Sequence, residues 1–230
     1  MNNTLNQLDH INHRIKQAFK DSGRSDADKF TLLAVSKRHP VEKILSLYQQ
    51  GQRDFGESYV QEAVQKIQQT ASSDIVWHFI GPIQSNKTRD IAQNFQWVHS
   101  VDRLKIARRL SEQRPAQLPD LNICLQINIS DEPQKAGFSP KEIFKHLENI
   151  ADLPHLKLRG LMAIPRKTTE FEQQRLAFHQ LKELLQTLNK QFKLSMDTLS
   201  MGMSGDMEAA IAEGATIVRI GTALFGAREY

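Results

Sequence analysis

The stretch LSMGMSGDMEAAIAEGATIVRIG (residues 199–221) contains two apolar runs that are separated by a glycine-rich turn and a helical segment. The apolar runs predict β-strands over 197–201 and 216–221. Two strands that are joined through a helix form a parallel pair with a right-handed crossover. The stretch therefore predicts one unit of an α/β fold.

The same alternation of strand and helix continues through the rest of the chain. Helical spacing of apolar residues is clearest over 41–51 and 171–192. Eight such units predict a single (β/α)8 barrel of the TIM type. An open doubly wound sheet is the alternative, but no GxGxxG motif follows the first predicted strand. The eight predicted strands are 31–35, 53–56, 76–81, 97–101, 121–129, 157–164, 197–201 and 216–221.

An amphipathic segment precedes the first predicted strand. Leu5, Leu8, Ile15 and Phe19 share one face at helical spacing and predict an extra N-terminal helix over 4–20. No linker, repeat or low-complexity segment divides the chain. We therefore expect one domain over all 230 residues.

The composition argues against several classes of protein. The 30 Lys and Arg residues exceed the 26 Asp and Glu residues by four, but they are scattered among acids, so we expect no nucleic-acid partner. No secretory signal and no apolar run of roughly 20 residues is present, so we expect no membrane partner. The single cysteine, Cys124, excludes an internal disulfide and fits a reducing cytoplasm. The eight histidines lack a metal-binding spacing.

The stretch LLAVSKRHP (residues 32–40) ends a buried strand in a lysine. In a barrel, function lies at the carboxyl ends of the strands, where this stretch puts Lys37. Alternation gives Leu33, Val35 and Lys37 the same face, and desolvation at the barrel mouth would favour the neutral amine that Schiff-base formation needs. The alternative is an ordinary solvated lysine in a loop.

The two strands of the opening stretch both end in small residues ahead of a helix. Backbone N–H groups at Gly221, with the hydroxyls of Ser204 and Thr222, would form an anion site after strands 7 and 8. The alternative is that both hydroxyl residues are ordinary helix N-caps. The anion site also requires the carboxylates of Asp206 and Glu208 to point away.

Arg219 lies between two apolar residues of the last predicted strand. If Val218 and Ile220 pack outward, Arg219 points into the barrel and needs an acceptor. An amine, an anion site and an inward arginine at one mouth fit pyridoxal 5′-phosphate (PLP), an aldehyde with a phosphate ester. Because arginine does not deprotonate, it would leave the ring nitrogen unprotonated and the ring a weaker electron sink.

The sequence resembles the pyridoxal phosphate homeostasis proteins, which are related to the N-terminal barrel of alanine racemase. The resemblance rests on the ordered motifs LLAVSK, DFGESYVQE, WHFIGPIQSNK, QINISDEPQKAGF, GLMAIP, LSMGMSGDMEAAI and VRIGTALFGAR. It implies that Lys37 is the Schiff-base lysine and that Arg219 contacts the ring nitrogen. It also implies that Ser204, Gly221 and Thr222 hold the phosphate.

Two positions depart from the family pattern, and two other lysines compete for a role. Ser58 stands where the family usually has Asn, a position from which the resemblance implies a polar contact near the cofactor ring. Gly205 replaces a usually acidic or alanine-like residue, which should leave the phosphate loop intact. Lys87 is a second phosphate-binding candidate or a solvated helix start. Lys135 is a rival amine, ranked lower because Gly and Pro breakers flank it.

A racemase needs two acid/base groups on opposite faces of its substrate. In the alanine racemase relatives the second group is a tyrosine from an additional domain, whereas this sequence ends at Tyr230, and Tyr48 and Tyr59 fall in helical stretches. We therefore expect a monomeric PLP-binding protein without efficient amino-acid turnover, which makes PLP available to PLP-dependent apoenzymes as the resemblance implies. A small racemase, a Schiff-base aldolase and a nucleic-acid-binding module are the alternatives.

Overall fold

The computed structural model describes residues 2–25 and 29–226 and forms a closed barrel of eight parallel strands in the order β1 to β8. Closure confirms the predicted barrel and excludes the open doubly wound sheet. The strands are β1 (Thr31–Val35), β2 (Asp54–Glu57), β3 (Val76–Phe79), β4 (Trp97–Val101), β5 (Leu121–Gln126), β6 (Leu156–Met162), β7 (Thr198–Ser200) and β8 (Ile217–Ile220).

Helices surround the barrel, and all but the first and the last of those described connect successive strands. They are α1 (Asn2–Asp21), α2 (Val41–Gln49), α3 (Val60–Gln69), α4 (Thr88–Asn94), α5 (Leu104–Gln113), α6 (Ile143–Ala151), α7 (Phe171–Phe192), α8 (Met207–Ala212) and α9 (Thr222–Phe225), with one 3₁₀ turn over Ser85–Lys87. In the described ranges, no helix is both long and apolar enough to cross a membrane.

The predicted strands match the observed ones to within a few residues, with the largest difference in β5. The prediction extended this strand to residue 129, whereas regular pairing ends at Gln126. Ile127 then forms an isolated bridge to Phe138. The apolar run is longer than the strand because Ile127 is buried beyond the last regular pair.

Side chains alternate between the barrel interior and the surrounding helices. His99 on β4 bonds Ser200 on β7, two strands that are not neighbours in the sheet, so both side chains cross the interior. Phe55 and Trp77 pack together on the opposite face of β2 and β3. Cys124 is fully buried in β5, where desolvation raises the pKa of its thiol to about 12.

The leading helix α1 covers the part of the barrel that the short helix α9 leaves open. Its Leu8, Ile11, Ile15 and Phe19 are buried, and the helix contacts α2, α8 and α9. Since α9 has only four residues, a helix from the other end of the chain completes the outer layer there. The side chain of Leu5, which the prediction placed on this face, lies outside the described side chains, and Tyr230 lies outside the described residues.

Candidate functional site

The five residues predicted for cofactor binding line one cavity at the carboxyl ends of the strands. The cavity has a volume of about 330 Å³, within the range of small-molecule sites. These lining residues are Lys37, Ser204, Arg219, Gly221 and Thr222. Residues from β1 and β8 meet here because these two strands pair and close the barrel.

Lys37 lies in the loop after β1, and helix α3 holds this loop on both sides of the lysine. Lys66 of α3 donates to the carbonyl of Ser36 over 2.9 Å. Glu62 of α3 accepts the backbone N–H of Arg38 over 2.6 Å. Arg38 has a left-handed φ of 61°, a conformation that needs support from its surroundings. The backbone on either side of Lys37 is therefore fixed by contacts from α3.

The anchor beneath this loop is a buried charged cluster. Lys66 binds Glu57 over 2.7 Å and Glu62 over 2.5 Å. The second carboxylate oxygen of Glu57 is buried and has no hydrogen-bond partner within the described part of the chain. Burial raises the pKa of Glu57, and the nearby ammonium of Lys66 opposes that shift.

The loop after β8 directs backbone N–H groups toward the carboxyl end of the barrel. The first hydrogen bond of α9 runs from the N–H of Leu224 to the carbonyl of Gly221. The N–H groups of Thr222 and Ala223 therefore lie ahead of the helix's own hydrogen bonds. Together with the hydroxyl of Thr222, they form a donor set suited to an anion.

The loop after β7 requires glycine at one position and tolerates other residues at another. Gly202 has a φ of 93°, and a Cβ added there would lie 2.6 Å from the Cβ of Ala210. A Cβ added at Gly205 would meet nothing within 4 Å. The departure at Gly205 is therefore sterically neutral, as expected from the sequence.

Of the two acidic residues near this loop, Glu208 turns toward α1, whereas Asp206 stays against the loop and its charge acts on Arg219 of the cavity. Asp206 accepts the backbone N–H of Met203 over 2.6 Å. Glu208 binds Arg14 of α1 over 2.7 Å, and Arg14 also donates to the carbonyl of Ser204. The extra N-terminal helix thus neutralises one carboxylate and anchors the loop, a role that helical periodicity alone did not reveal.

Arg219 points into the barrel, as predicted from its apolar neighbours on β8. Its Nη1 donates to the carbonyl and hydroxyl oxygens of Ser200 over 2.6 and 2.8 Å, and its Nη2 donates to the carbonyl of Ala163 over 3.0 Å. Burial lowers the pKa of Arg219 to about 10. The guanidinium is therefore still protonated at neutral pH and acts as a hydrogen-bond donor.

Three other residues singled out from the sequence lie outside the walls of the Lys37 cavity. Lys87 and Ser58 line a neighbouring cavity of about 250 Å³, beside Tyr59. Lys135 pairs with Glu132 over 2.6 Å and lines a third, smaller cavity. The phosphate role for Lys87 and the ring contact from position 58 therefore gain no support from the geometry.

Several lining residues had no sequence signal. Met162 is the last residue of β6, and Ile80 directly follows β3. The alternation of side chains along a strand does not predict which strand ends meet across a barrel. His39 stacks on Phe225 with ring centroids 4.9 Å apart. The remaining wall of the cavity consists of Val35, His39, Ile80, Met162, Ile164, Met203 and Gly205. Within the described residues, no group of three or more His, Cys, Asp or Glu side chains could hold a metal ion.

The matches to known proteins extend over nearly the full length of the chain. Residues 7–229 match the family model of the alanine racemase N-terminal domain. A pyridoxal phosphate homeostasis protein of Pseudomonas aeruginosa is 58% identical over 94% of this chain and 92% of its own length. The homologue of the same name from Vibrio alginolyticus is 51% identical over 100% of both chains. The structure of PipY from Synechococcus elongatus with PLP bound superposes with a TM-score of 0.81 at 37% identity, over 92% of this chain and 100% of that one.

Proposed function

The chain belongs to the family of pyridoxal phosphate homeostasis proteins, and from this premise we propose that it binds PLP as a Schiff base on Lys37. In this function the chain takes part in PLP homeostasis and makes the cofactor available to PLP-dependent apoenzymes. The observation that carries the proposal is the single cavity that holds an amine, an anion-binding donor set and a buried guanidinium.

The residues present fit this cofactor by the chemistry of their side chains. Lys37 supplies a primary amine at the cavity wall, and Ser204 and Thr222 supply hydroxyls beside backbone N–H groups for the phosphate. Arg219 supplies N–H donors for the ring nitrogen. PLP itself contributes an aldehyde that condenses reversibly with amines, so it can leave by transfer to another amine.

We also propose that the chain does not turn over amino acids efficiently. Tyr48 donates to Asp74, and Tyr59 contacts Arg38 and lines the neighbouring cavity. Neither tyrosine is among the described residues that line the Lys37 cavity, so the second acid/base group of a racemase lacks a tyrosine there. Exchange of the α-proton of alanine in D₂O tests this. A saturable exchange that is lost in Lys37→Ala would refute it.

The Schiff base is tested by the visible absorption of the purified protein with and without added PLP. We expect an absorption band in the wild type that is absent from Lys37→Ala and retained in Lys87→Ala, a matched control whose lysine lines a different cavity. Borohydride reduction followed by peptide mass analysis should find the adduct on Lys37. An adduct on Lys135, or no band at excess PLP, would contradict the proposal.

A further inference from the structure

Polar side chains form a single file of hydrogen bonds through the barrel interior. Asp54 Oδ1 lies 3.0 Å from Nε2 of His78, whose Nδ1 lies 2.9 Å from Nε2 of His99. Nδ1 of His99 lies 2.7 Å from the hydroxyl of Ser200, which accepts Nη1 of Arg219 over 2.8 Å. The file therefore joins the amino-terminal end of β2 to the wall of the Lys37 cavity.

The bonding partners at the two ends fix the direction of every donor in the file. Asp54 is an acceptor when ionised, so Nε2 of His78 carries the proton, and Nδ1 of a neutral His78 accepts. His99 must then donate from Nε2 and accept at Nδ1 from the Ser200 hydroxyl, whose oxygen accepts from Arg219. With both rings neutral, this is the one donor sequence that gives every bond in the file a donor and an acceptor. Burial lowers the pKa of His78 and of His99, in agreement with neutral rings.

Packing alone gives no reason for polar residues at these positions. Barrel interiors are usually filled with branched apolar side chains, and burying polar groups is unfavourable unless each is hydrogen-bonded. The side chain of Asp54 is 30% exposed at the far end. His78, His99, Ser200 and Arg219 are all at least 95% buried. The hydrogen bonds of the file therefore satisfy these buried polar groups, which stand where apolar side chains fill most barrels. The buried end of the file is Arg219, which lines the Lys37 cavity.

We propose that this interior file (Asp54, His78, His99 and Ser200) consists of positioning residues that hold the guanidinium of Arg219 for the ring nitrogen of PLP. The proposal rests on the proposed function and deepens it.

The contacts of Arg219 explain how the file acts. Arginine has five N–H donors, and Ser200 and Ala163 take three of them. Within the described part of the chain, the Nε–H and one Nη2–H are left for a ligand in the cavity that Arg219 lines. Because His99 accepts the proton of the Ser200 hydroxyl, the lone pairs of that oxygen stay directed to Arg219. Without the file, the hydroxyl can rotate and the guanidinium loses a fixed partner.

The first test uses the protein without PLP. Nitrogen-15 NMR of the imidazole rings should show both His78 and His99 neutral and protonated on Nε2 at neutral pH. A proton on Nδ1 of either ring, or a charged ring, would overturn the file because its donor sequence could not then exist. This measurement does not depend on cofactor binding.

The second test measures PLP affinity and the position of the visible band in four proteins. We expect Ser200→Ala to bind PLP about tenfold more weakly, equivalent to ~1.4 kcal/mol, and to shift the band. Ser200→Thr keeps a hydroxyl and should restore both. Ser111→Ala is the matched control, because Ser111 is a buried serine that donates to Pro154 outside the barrel interior. An unchanged affinity and band in Ser200→Ala would refute the positioning role.

Two further outcomes separate this inference from the proposed function. If the wild type shows no PLP band, the proposed function fails and the positioning role fails with it, whatever the NMR shows. If Ser200→Ala does not fold, His99→Leu takes its place, since it removes the acceptor of the Ser200 hydroxyl. A wild-type band in a folded His99→Leu protein would then count against the inference.

Discussion

Gly202 and Gly205 lie three residues apart in the loop after β7 and have different steric constraints. The left-handed φ and the 2.6 Å approach to Ala210 apply to Gly202 alone. We predict that Gly202→Ala lowers the free energy of unfolding by roughly 1–3 kcal/mol, because it combines backbone strain with a buried clash. Gly205→Ala is the matched control and should change it by less than about 0.5 kcal/mol. Urea denaturation measures both, and equal losses would contradict the structure of the loop.

The buried ammonium of Lys66 makes a second residue-level prediction. Lys66→Met leaves the Glu57 carboxylate buried with the hydroxyl of Ser36 but without an opposite charge, so we expect a loss of roughly 3–5 kcal/mol in the free energy of unfolding. The double variant Glu57→Gln with Lys66→Met should recover part of this loss, since no uncompensated charge is then buried. Denaturation by urea distinguishes the two. An equal loss in both proteins would show that the charge of Glu57 is not the cause.

At the scale of the elements, two arginines hold α8 near its opposite ends, Arg14 within α1 and Arg24 three residues after α1. Arg14 contacts Ser204 and Glu208 at the cavity end of α8, whereas Arg24 donates to the carbonyls of Ile211 and Ala215 at the other end. These two arginines therefore offer a test of whether α1 supports the site or only the fold.

We predict that Arg14→Ala weakens PLP binding about fivefold, equivalent to ~1 kcal/mol, because the loop that carries Ser204 loses an anchor. Arg24→Ala should destabilise the protein without a comparable loss of affinity for the folded form. Titration with PLP, monitored by absorption at a temperature where both variants are folded, gives the comparison. Equal affinities in the two variants would mean that α1 has no part in the site.

The elements themselves were predictable from the sequence because periodicity is a local property. The strand over 31–35 and the helix over 171–192 match the structure residue for residue. The position of α1 was not predictable, since it depends on how much of the barrel the short α9 leaves uncovered. Likewise, the ends of the predicted strands identify Lys37, Arg219 and Thr222 as site candidates. No sequence pattern identifies His78 and His99, because their contact depends on which side chains meet across the barrel interior.

At the scale of the whole molecule, barrel closure assembles the site and the interior file from distant parts of the sequence. The pairing of β1 with β8 brings Lys37 beside Gly221. The bond between His99 and Ser200 spans 101 positions of the sequence. Loss of closure would therefore remove the site and expose the buried histidines in the same event, which links the folded state to the protonation of these rings.

This link predicts that the protein loses stability in mild acid. Burial lowers the pKa of His78 and His99 in the folded protein from the ordinary 6.5. In the unfolded chain both rings gain protons as the pH falls below about 6.5. The unfolded state then binds more protons, so the free energy of unfolding should fall by up to ~1.4 kcal/mol per pH unit for each histidine. Their contribution is fully present above that pH.

The two histidines can be separated from other titrating groups by comparing variants. Glu57, whose pKa burial raises, contributes with the opposite sign, because a raised carboxyl pKa loses stability as the pH rises. The comparison is between wild type and a protein that carries both His78→Gln and His99→Gln. Because Glu57 is present in both, its contribution cancels when the slopes of the unfolding free energy against pH are compared between pH 6.5 and 5. We expect a shallower slope in the variant and no change in His13→Gln, whose histidine is exposed. Parallel slopes in wild type and variant would mean that the interior rings take up protons in the folded barrel as readily as in the unfolded chain.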